Sequence, residues 1–176
     1  VYKRQDFDGV QQQDGTVSAS TSLTGGSVYG GGNGASSETT AYGNSATTST
    51  SNGSTFHYIT QTSNNDVSAD STTNLLVVDG VSANTTAAAN VSQHHNVNGE
   101  NRGFQTQTGN ANVSATTTGT FDTVTDFAAL GSVATGNSHL ATGSTTTSYT
   151  GAVQTMADGT SVSAQADATV AYANNV

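Results

Sequence analysis

The sequence predicts an all-β protein built as a parallel β-solenoid (β-helix), with an antiparallel β-sandwich as the alternative. Three observations predict it. Thr, Ser, Asn and Gly together supply 90 of the 176 residues (32, 22, 16 and 20). The tripeptide Val-Ser-Ala recurs, and Asn-Gly or Asp-Gly dipeptides occur from Asp8-Gly9 to Asp158-Gly159. The solenoid is favoured because a sandwich usually needs a larger aromatic core, and aromatic residues make up only 6% of this chain.

The composition favours strands around a narrow interior. Hydrophobic residues reach only 32%, so the chain has too few large apolar side chains to fill a conventional compact core. Thr, the commonest residue, is β-branched and favours strands. Stacked Thr, Asn and Gln side chains can also hydrogen-bond to their copies in neighbouring coils, about 4.8 Å away.

The charge excludes several classes of partner. With three Lys or Arg residues against twelve Asp or Glu, the net charge is −9. A nucleic-acid partner is excluded because a phosphate-binding face needs clustered Lys and Arg. Membrane insertion is excluded because the longest apolar run, Leu75-Leu76-Val77-Val78, is far below the ~20 residues of a span. The chain has no Cys and therefore no disulfides.

The Val-Ser-Ala repeats suggest coils of about 20 residues. Val113, Val133 and Val153 are evenly spaced at this interval, and Val91 precedes Val113 by a similar one. This spacing places Val133 in the interior, and Thr146 in a loop or on an outer face. The five copies of the tripeptide begin at Val17, Val67, Val81, Val113 and Val162.

Local alternation supports strands within the repeats. The clearest strand runs over residues 162–172, where a stripe of small apolar residues and one Tyr alternates with Ser163, Gln165, Asp167, Thr169 and Ala171. The stripe consists of Val162, Ala164, Ala166, Ala168, Val170 and Tyr172.

Residues 30–34, Gly-Gly-Gly-Asn-Gly, are the most permissive stretch and divide the chain. Residues 1–29 are expected to form an N-terminal flank or a first coil, and residues 30–176 the β-solenoid. The first five residues, Val-Tyr-Lys-Arg-Gln, resemble the translated end of a sequencing adapter. We therefore expect this chain to be a fragment of a longer protein.

One segment carries a resemblance. Residues 107–113, Gln-Thr-Gly-Asn-Ala-Asn-Val, are similar to the Gln-x-Gly-x-x-Asn rhythm of curlin-type repeats. The Ser/Thr/Ala/Gly/Asn-rich composition also resembles the holdfast-anchor proteins of stalked bacteria. These resemblances imply a secreted, surface-attached β-structure used in adhesion.

The candidate metal ligands are His57, His94, His95 and His139. His94 and His95 are adjacent and would point to opposite faces of a strand, and no Cys or close carboxylate completes a ligand set. The histidines are expected to be exposed, and no metal, cofactor or catalytic site is predicted. Calcium is the most plausible ion, but Gly31-Gly32-Asn33-Gly34 lacks the Asp that follows in calcium-binding rolls.

Acidic and threonine pairs are the remaining candidates. The pairs Asp66/Asp70 and Asp122/Asp126 would lie ~13 Å apart in a strand, whereas glycosidases need carboxylates ~5–9.5 Å apart. Thr-x-Thr pairs can form an ice-binding array only in one register, which the valine spacing does not give. These pairs are Thr60/Thr62, Thr106/Thr108, Thr123/Thr125 and Thr145/Thr147.

The function predicted is that of a non-enzymatic extracellular or cell-surface protein: an adhesin, a surface anchor or a matrix subunit. It would associate end to end with itself or with other surface-matrix components, including polysaccharide. The second hypothesis is a carbohydrate-binding or carbohydrate-active β-helix, as in a tail spike or lyase fragment. The third is an ice-binding protein.

Overall fold

The computed structural model describes residues 4–29, 34–143 and 148–173, and every regular element within them is a β-strand. Strands β1, β4, β6 and β8 form one sheet in that order. Strands β2, β5, β7 and β9 form the second sheet, to which β3 adds beside β5. All these pairings are parallel. The strands are β1 (Arg4–Gln13), β2 (Val17–Val28), β3 (Ala35–Thr50), β4 (Ser54–Ser63), β5 (Val67–Asn96), β6 (Asn101–Gly109), β7 (Val113–Gly143), β8 (Ser148–Met156) and β9 (Val162–Ala173).

A complete coil consists of three strand segments, which we call faces 1, 2 and 3. Face 1 is the sheet of β1, β4, β6 and β8. The second sheet supplies the other two faces, because the separate strands β2 and β3 pair with successive parts of β5, on either side of its register irregularity between Val78 and Gly80. Face 2 contains β2, residues 67–78, residues 113–124 and β9. Face 3 contains β3, residues 81–96 and residues 128–143.

The faces define coil 1 (4–50), coil 2 (54–96), coil 3 (101–143) and coil 4 (148–173). The fold class predicted from the sequence is confirmed, since two all-parallel sheets of stacked strands are consistent with a β-solenoid. The coil length predicted from the valine spacing is wrong. Val17, Val67, Val113 and Val162 are register partners in successive coils, so one complete coil separates each from the next.

The true coil is more than twice as long as the predicted one. On face 1, Gln61 contacts its register partners Gln11 and Gln107, which are 50 and 46 residues away along the chain. The shorter spacing arose from valines on different faces. Val113 begins face 2, whereas Val133 pairs with Thr86 on face 3 and Val153 pairs with Thr106 on face 1.

The interior position predicted for Val133 is also wrong. Its side chain is 55% exposed, because it points outward from face 3 between Ser132 and Ala134. Thr146, which was predicted to lie in a loop or on an outer face, lies outside the described residues.

The interior is lined by every second residue of the middle coils, as a period of two requires. One apolar cluster joins the start of face 2 to the middle of face 3 and contains Val67, Ala69, Ala87, Ala89 and Val113, among others. A second cluster fills the bend between faces 2 and 3: Leu75, Val78, Val81, Phe121 and Val124. Small side chains fill most of this space, as the composition predicts.

A glutamine ladder runs through face 1. Gln11, Gln61, Gln107 and Gln154 are register partners. The side-chain amides of Gln61, Gln107 and Gln154 each donate to the glutamine one coil nearer the N-terminus, at 2.6–2.8 Å. The amides of Gln11, Gln61 and Gln107 also donate across the interior to face 3, to the backbone oxygens of Ser45, Val91 and Ser138, each at 2.9 Å. The ladder therefore joins coils along the axis and faces within each coil.

On face 3, asparagines form a second ladder, in which each donor lies one coil nearer the N-terminus than its acceptor. Asn44 donates to Asn90 at 2.8 Å, and Asn90 donates to Asn137 at 2.7 Å. Each Asn also donates to a face 1 backbone oxygen at 2.9–3.0 Å, those of Thr62, Thr108 and Thr155. The buried amides are thus satisfied by their own copies, which a polar interior requires.

Some of the predicted turn signals are turns and others are not. Gly34, Gly99 and Gly159 adopt positive φ values of 58°, 125° and 84°, which glycine accepts without steric cost. Asp8-Gly9 and Asp79-Gly80 instead lie within strands β1 and β5. Residues 30–33 of the Gly-rich stretch lie outside the described residues.

Candidate functional site: an aromatic and arginine patch on face 1

Aromatic side chains converge on the outer surface of face 1. Tyr58 pairs in register with Phe104, and Phe56 pairs with Arg102, which in turn pairs with Tyr149. Parallel strands lie about 4.8 Å apart, so these outward side chains are immediate neighbours. Tyr58, Phe104 and Tyr149 are 58%, 45% and 60% exposed. We call Phe56, Tyr58, Arg102, Phe104 and Tyr149 the aromatic–arginine patch.

Arginine completes this surface. The Arg102 guanidinium lies between two rings, 6.0 Å from the Phe56 centroid and 5.2 Å from the Tyr149 centroid. Arg4 lies on the other side of Phe56, 4.2 Å from its centroid. Cation–π contacts of this kind at exposed sites each contribute about 0.5–1 kcal/mol. Each arginine also pairs with an acid, Arg102 with Glu100 at 2.5 Å and Arg4 with Asp6 at 2.6 Å.

The patch can stack on planar or weakly polar ligand faces. Exposed Tyr and Phe offer flat apolar surface, and Tyr adds a hydroxyl group for hydrogen bonding. Gly151 makes room for the Phe104 ring, because a Cβ there would lie 3.0 Å from Phe104 Cδ2. Clusters of exposed aromatic side chains are rare on monomeric proteins and mark binding surfaces.

The patch was not predicted from the sequence, in which Tyr and Phe look scattered. Phe56, Arg102 and Tyr149 follow one another at the coil spacing, the same 46 and 47 residues that separate Gln61, Gln107 and Gln154. The Val-Ser-Ala copies on face 2 have nearly the same spacing, so they were the signal that could have located the patch.

Three histidines that were expected to be exposed meet in the interior instead. The His57 and His94 rings stack with centroids 3.7 Å apart and planes 10° apart. The His139 ring lies 5.4 Å from that of His94. His57 and His94 are 0% and 1% exposed, so the prediction is wrong for them. His95 points outward and bonds Thr142 at 2.9 Å, as the alternation of neighbouring residues predicts.

The buried environment keeps these histidines neutral. Burial, with the nearby His94 and His139 as smaller causes, lowers the pKa of His57 to about 4. Burial also lowers the pKa values of His94 and His139. Neither ring nitrogen of His57 has a hydrogen-bond partner among the described residues. A Cβ on Gly103 would collide with the His57 ring, so this glycine makes room for the stack.

No arrangement of these side chains suits a metal ion. Stacked rings cannot aim their nitrogens at one point, and within residues 4–29, 34–143 and 148–173 no three His, Cys, Asp or Glu side chains are grouped for metal binding. Gly31-Gly32-Asn33, the segment considered for calcium, lies outside these ranges.

The four aspartates of the candidate acidic pairs lie at separate places on the coil. Asp66 lies in the turn between faces 1 and 2, where its carboxylate accepts the backbone N–H of Asn112 at 3.0 Å. Asp70 is exposed on face 2. Asp122 lines an open groove across the same face together with Thr24, Asn74, Leu76 and Thr120. Asp126 is exposed near the bend.

Two of the Thr-x-Thr pairs are in register after all. Thr60 and Thr62 pair with Thr106 and Thr108 on face 1, beside the aromatic–arginine patch. Thr123 and Thr125 lie elsewhere, at the end of face 2, where Thr125 donates to Asp79 at 2.8 Å. Thr145 and Thr147 lie outside the described residues. A face-wide threonine array is therefore missing from the part of face 1 that is described, since Val10 and Val153 flank Thr60 and Thr106.

Comparison with known proteins identifies the family. The family model of holdfast attachment protein D matches residues 2–176. Neither a curated protein nor a solved structure gives a significant match. Among the described residues, no helix is long and apolar enough to cross a membrane. The resemblance to holdfast-anchor proteins is confirmed, and the chain belongs to the family of holdfast attachment protein D, adhesive anchor components of the bacterial surface.

Proposed function

We propose that this chain is a non-enzymatic, extracellular adhesive subunit that binds matrix polysaccharide through the aromatic–arginine patch and associates end to end with further copies. The single observation that carries the binding function is the alignment of Phe56, Tyr58, Phe104 and Tyr149 on one outer face. The family membership supports a role in attachment to the holdfast matrix.

Stacking on sugar rings fits this patch. The apolar C–H face of a pyranose packs on an aromatic ring, while its hydroxyl groups need donors and acceptors at the edge. The Tyr58 hydroxyl, the Arg102 guanidinium and the threonines at 60, 62, 106 and 108 supply such groups around the rings. Because neighbouring strands are about 4.8 Å apart, the rings can engage successive parts of one extended chain.

Charge selects among polysaccharides. The net charge of −9 repels polyanions at low ionic strength, and the only described cations beside the patch are already paired with Glu100 and Asp6. We therefore expect neutral chains to bind more tightly than acidic ones. Raising the salt concentration should narrow that difference because it screens the repulsion.

The binding function is tested with the purified chain and two soluble polymers, hydroxyethyl cellulose as the neutral polysaccharide and alginate as the acidic one. The double variant Tyr58→Ala/Phe104→Ala should lower the affinity for the neutral polymer at least tenfold, or about 1.4 kcal/mol. Tyr42→Ala is the matched control, since Tyr42 is an exposed tyrosine on face 3. Equal losses in both variants, or hydrolysis of either polymer, would contradict the proposal.

End-to-end association is supported by the strand edges at both ends. Strands β1, β2 and β3 have a partner on one side only among the described residues, and so do β8 and β9. Such edges template further strand pairing. Repulsion between copies that each carry −9 opposes association at low salt. Light scattering should therefore show larger species at physiological than at low ionic strength, and a chain that remains monomeric throughout would refute this part.

A further inference from the structure

An open groove follows the solenoid axis along the outer surface of face 2. One wall is a row of outward side chains that come from all four coils and are register partners: Thr24, Asn74, Thr120 and Thr169. Four strands spaced ~4.8 Å apart give this row a length of ~14 Å. With a volume of about 570 Å3, the groove has the size of a ligand site.

The opposite wall of the groove is mainly apolar. It consists of Leu76, Asp122 and Ala171, each two positions further along its strand than a residue of the first wall. The Leu76 side chain is 60% exposed. Between the two walls lie Leu75 and Phe121, whose side chains are buried in the cluster at the bend. The groove therefore combines a hydrogen-bonding wall with an apolar wall that bears one carboxylate.

The polar wall makes no hydrogen bonds with the protein itself. None of its four side chains has a hydrogen-bond partner in the part of the chain that the structure describes. The inward asparagines differ from this wall, since Asn44 donates to Asn90 and Asn90 donates to Asn137. The hydroxyl and amide groups of the polar wall are therefore available to a ligand.

The charged side chains of face 2 are all acidic. Its strands carry Asp70, Asp122 and Asp167, all of them exposed, and contain no Lys, Arg or His. The described arginines, Arg4 and Arg102, belong to β1 and β6 on face 1, where each pairs with a neighbouring acid. Asp122 therefore gives the groove a negative charge that attracts cationic groups and repels anionic ones.

We propose that this groove is a second binding site, which holds an extended polysaccharide that carries protonated amino groups. The hydroxyl groups of successive sugar units bond to the Thr and Asn side chains of successive coils. One amino group pairs with Asp122 through a charge-assisted hydrogen bond, and the sugar rings pack on Leu76. The groove and the aromatic–arginine patch lie on different sheets, so the two sites are independent.

The spacing of the polar wall favours a sugar chain over a peptide. Its side chains repeat every ~4.8 Å along the solenoid axis. One pyranose unit of an extended β-linked chain has nearly this length, so each unit meets one coil. An extended peptide repeats every ~3.3 Å, so its polar groups would lose register with the wall within two coils.

NMR titration of the isotope-labelled full chain tests the site, because the side-chain amide signal of Asn74 reports on the groove directly. The probes are two β-1,4-linked pentasaccharides, one of glucosamine, at a pH at which its amino groups are protonated, and one of glucose. At low ionic strength, the glucosamine probe should shift the Asn74 signal and bind at least fivefold more tightly than the glucose probe. An unshifted Asn74 signal, or equal affinity for the two probes, would overturn the proposal.

Asp122→Asn is the central variant, and Asp70→Asn is its matched control. Both remove one exposed carboxylate from face 2 and change the net charge equally, but Asp70 lies outside the groove. Asp122→Asn should lower the affinity for the glucosamine probe at least threefold, as the loss of an exposed ion pair permits, and Asp70→Asn should leave it nearly unchanged. Equal losses in the two variants would mean that only the net charge attracts the probe, which contradicts a specific site.

The hydrogen-bonding wall is tested by Thr120→Val, which removes one hydroxyl group and keeps the shape of the side chain. It should weaken binding of the glucosamine probe at least twofold. Thr72→Val, at an exposed position of face 2 outside the groove, is the control and should have no effect. Equal affinities of the two variants would contradict the assigned role of the row.

Pentalysine, a peptide of similar positive charge, distinguishes a peptide ligand from a sugar chain. It should bind more weakly than the glucosamine probe, and equal or tighter binding at Asn74 would overturn the choice of a polysaccharide. Tyr58→Ala/Phe104→Ala should leave the Asn74 titration unchanged while it lowers affinity for hydroxyethyl cellulose. The patch and the groove can therefore fail separately, and a loss of groove binding in this double variant would contradict their independence.

Discussion

Coil 2 and coil 4 begin face 2 with the same Val-Ser pair but have opposite environments. Val67 and Ala69 are fully buried, whereas Val162 is 45% exposed and all of β9 is exposed. The register is the same in both, since both pair with Val113-Ser114-Ala115. Burial in this molecule therefore depends on whether a coil has neighbours on both sides, as in repeat proteins in which each unit contacts only the next.

The largest expected effect compares equivalent valines of the two coils. Val67→Asp places an unpaired charge among buried Val and Ala side chains and should lower the free energy of unfolding by about 3–5 kcal/mol. Val162→Asp leaves its carboxylate in water and should cost about 1 kcal/mol or less. Urea unfolding followed by circular dichroism measures both. Similar losses at the two positions would show that coil 4 is covered.

Acid should destabilise the middle coils through the stacked histidines. The folded pKa of His57, about 4, lies below the unfolded value of 6.5, so the unfolded chain binds more protons between these values. Stability is therefore fully present above pH 6.5 and is lost as the pH falls toward 4. The loss is on the order of 3 kcal/mol from 1.36 kcal/mol per pKa unit.

His57→Leu removes that titration, so its stability should change less between pH 7 and pH 4.5. His95→Leu, on the outer surface, should retain the pH dependence of the native chain. Unfolding midpoints in urea across this range provide the measurement. An unchanged pH dependence in His57→Leu would place the acid-sensitive group elsewhere.

Removing a glutamine from the middle of the ladder should lower stability more than removing one from its end. Gln61 donates to Gln11 and Val91, and it accepts bonds from Gln105 and Gln107. Gln61→Ala leaves buried partners unsatisfied and should cost about 2–3 kcal/mol. Gln154→Ala removes the bond to Gln107 at an exposed position and should cost about 1 kcal/mol. Thermal unfolding of both variants compares them, and the reverse order would argue against the ladder.

The smallest effect is expected at Val133. Its side chain is 55% exposed, so Val133→Asp should change stability by about 0.5 kcal/mol. Val81→Asp on the same face, fully buried, is the sensitive counterpart. A large loss at Val133 in urea unfolding would restore the interior position that the valine spacing assigned to it.

The fold class was predictable from composition and alternation, but the coil length was not. Four of the five Val-Ser-Ala copies are true register partners, and the fifth begins at Val81, on face 3. Their unequal separations come from turns of different length between faces, so no strict period exists in the sequence. The more regular spacing of about 20 residues was a coincidence, since it joined Val113 to Val91, Val133 and Val153, which lie on other faces.

Because the coil length was wrong, neither the aromatic–arginine patch nor the cluster of His57, His94 and His139 was predicted. With the coil length known, the near-equal steps from Phe56 to Arg102 to Tyr149 place one patch on face 1. The histidine cluster is harder to predict, because His57 comes from face 1 and His94 and His139 come from face 3. Their contact depends on how the two faces oppose each other across the interior, which a one-dimensional pattern does not encode.

The central claim is that the coil has three faces, so that register partners on face 1 lie one full coil apart along the chain. Distances between spin labels within one chain test this claim most directly. Nitroxides attached through Thr60→Cys and Thr106→Cys should show strong dipolar broadening, because these residues are register partners in adjacent coils. Nitroxides at Thr106→Cys and Asp126→Cys, separated by the predicted valine interval, should show none, since they lie on face 1 and near the bend after face 2. Broadening in the second pair and none in the first would contradict this fold.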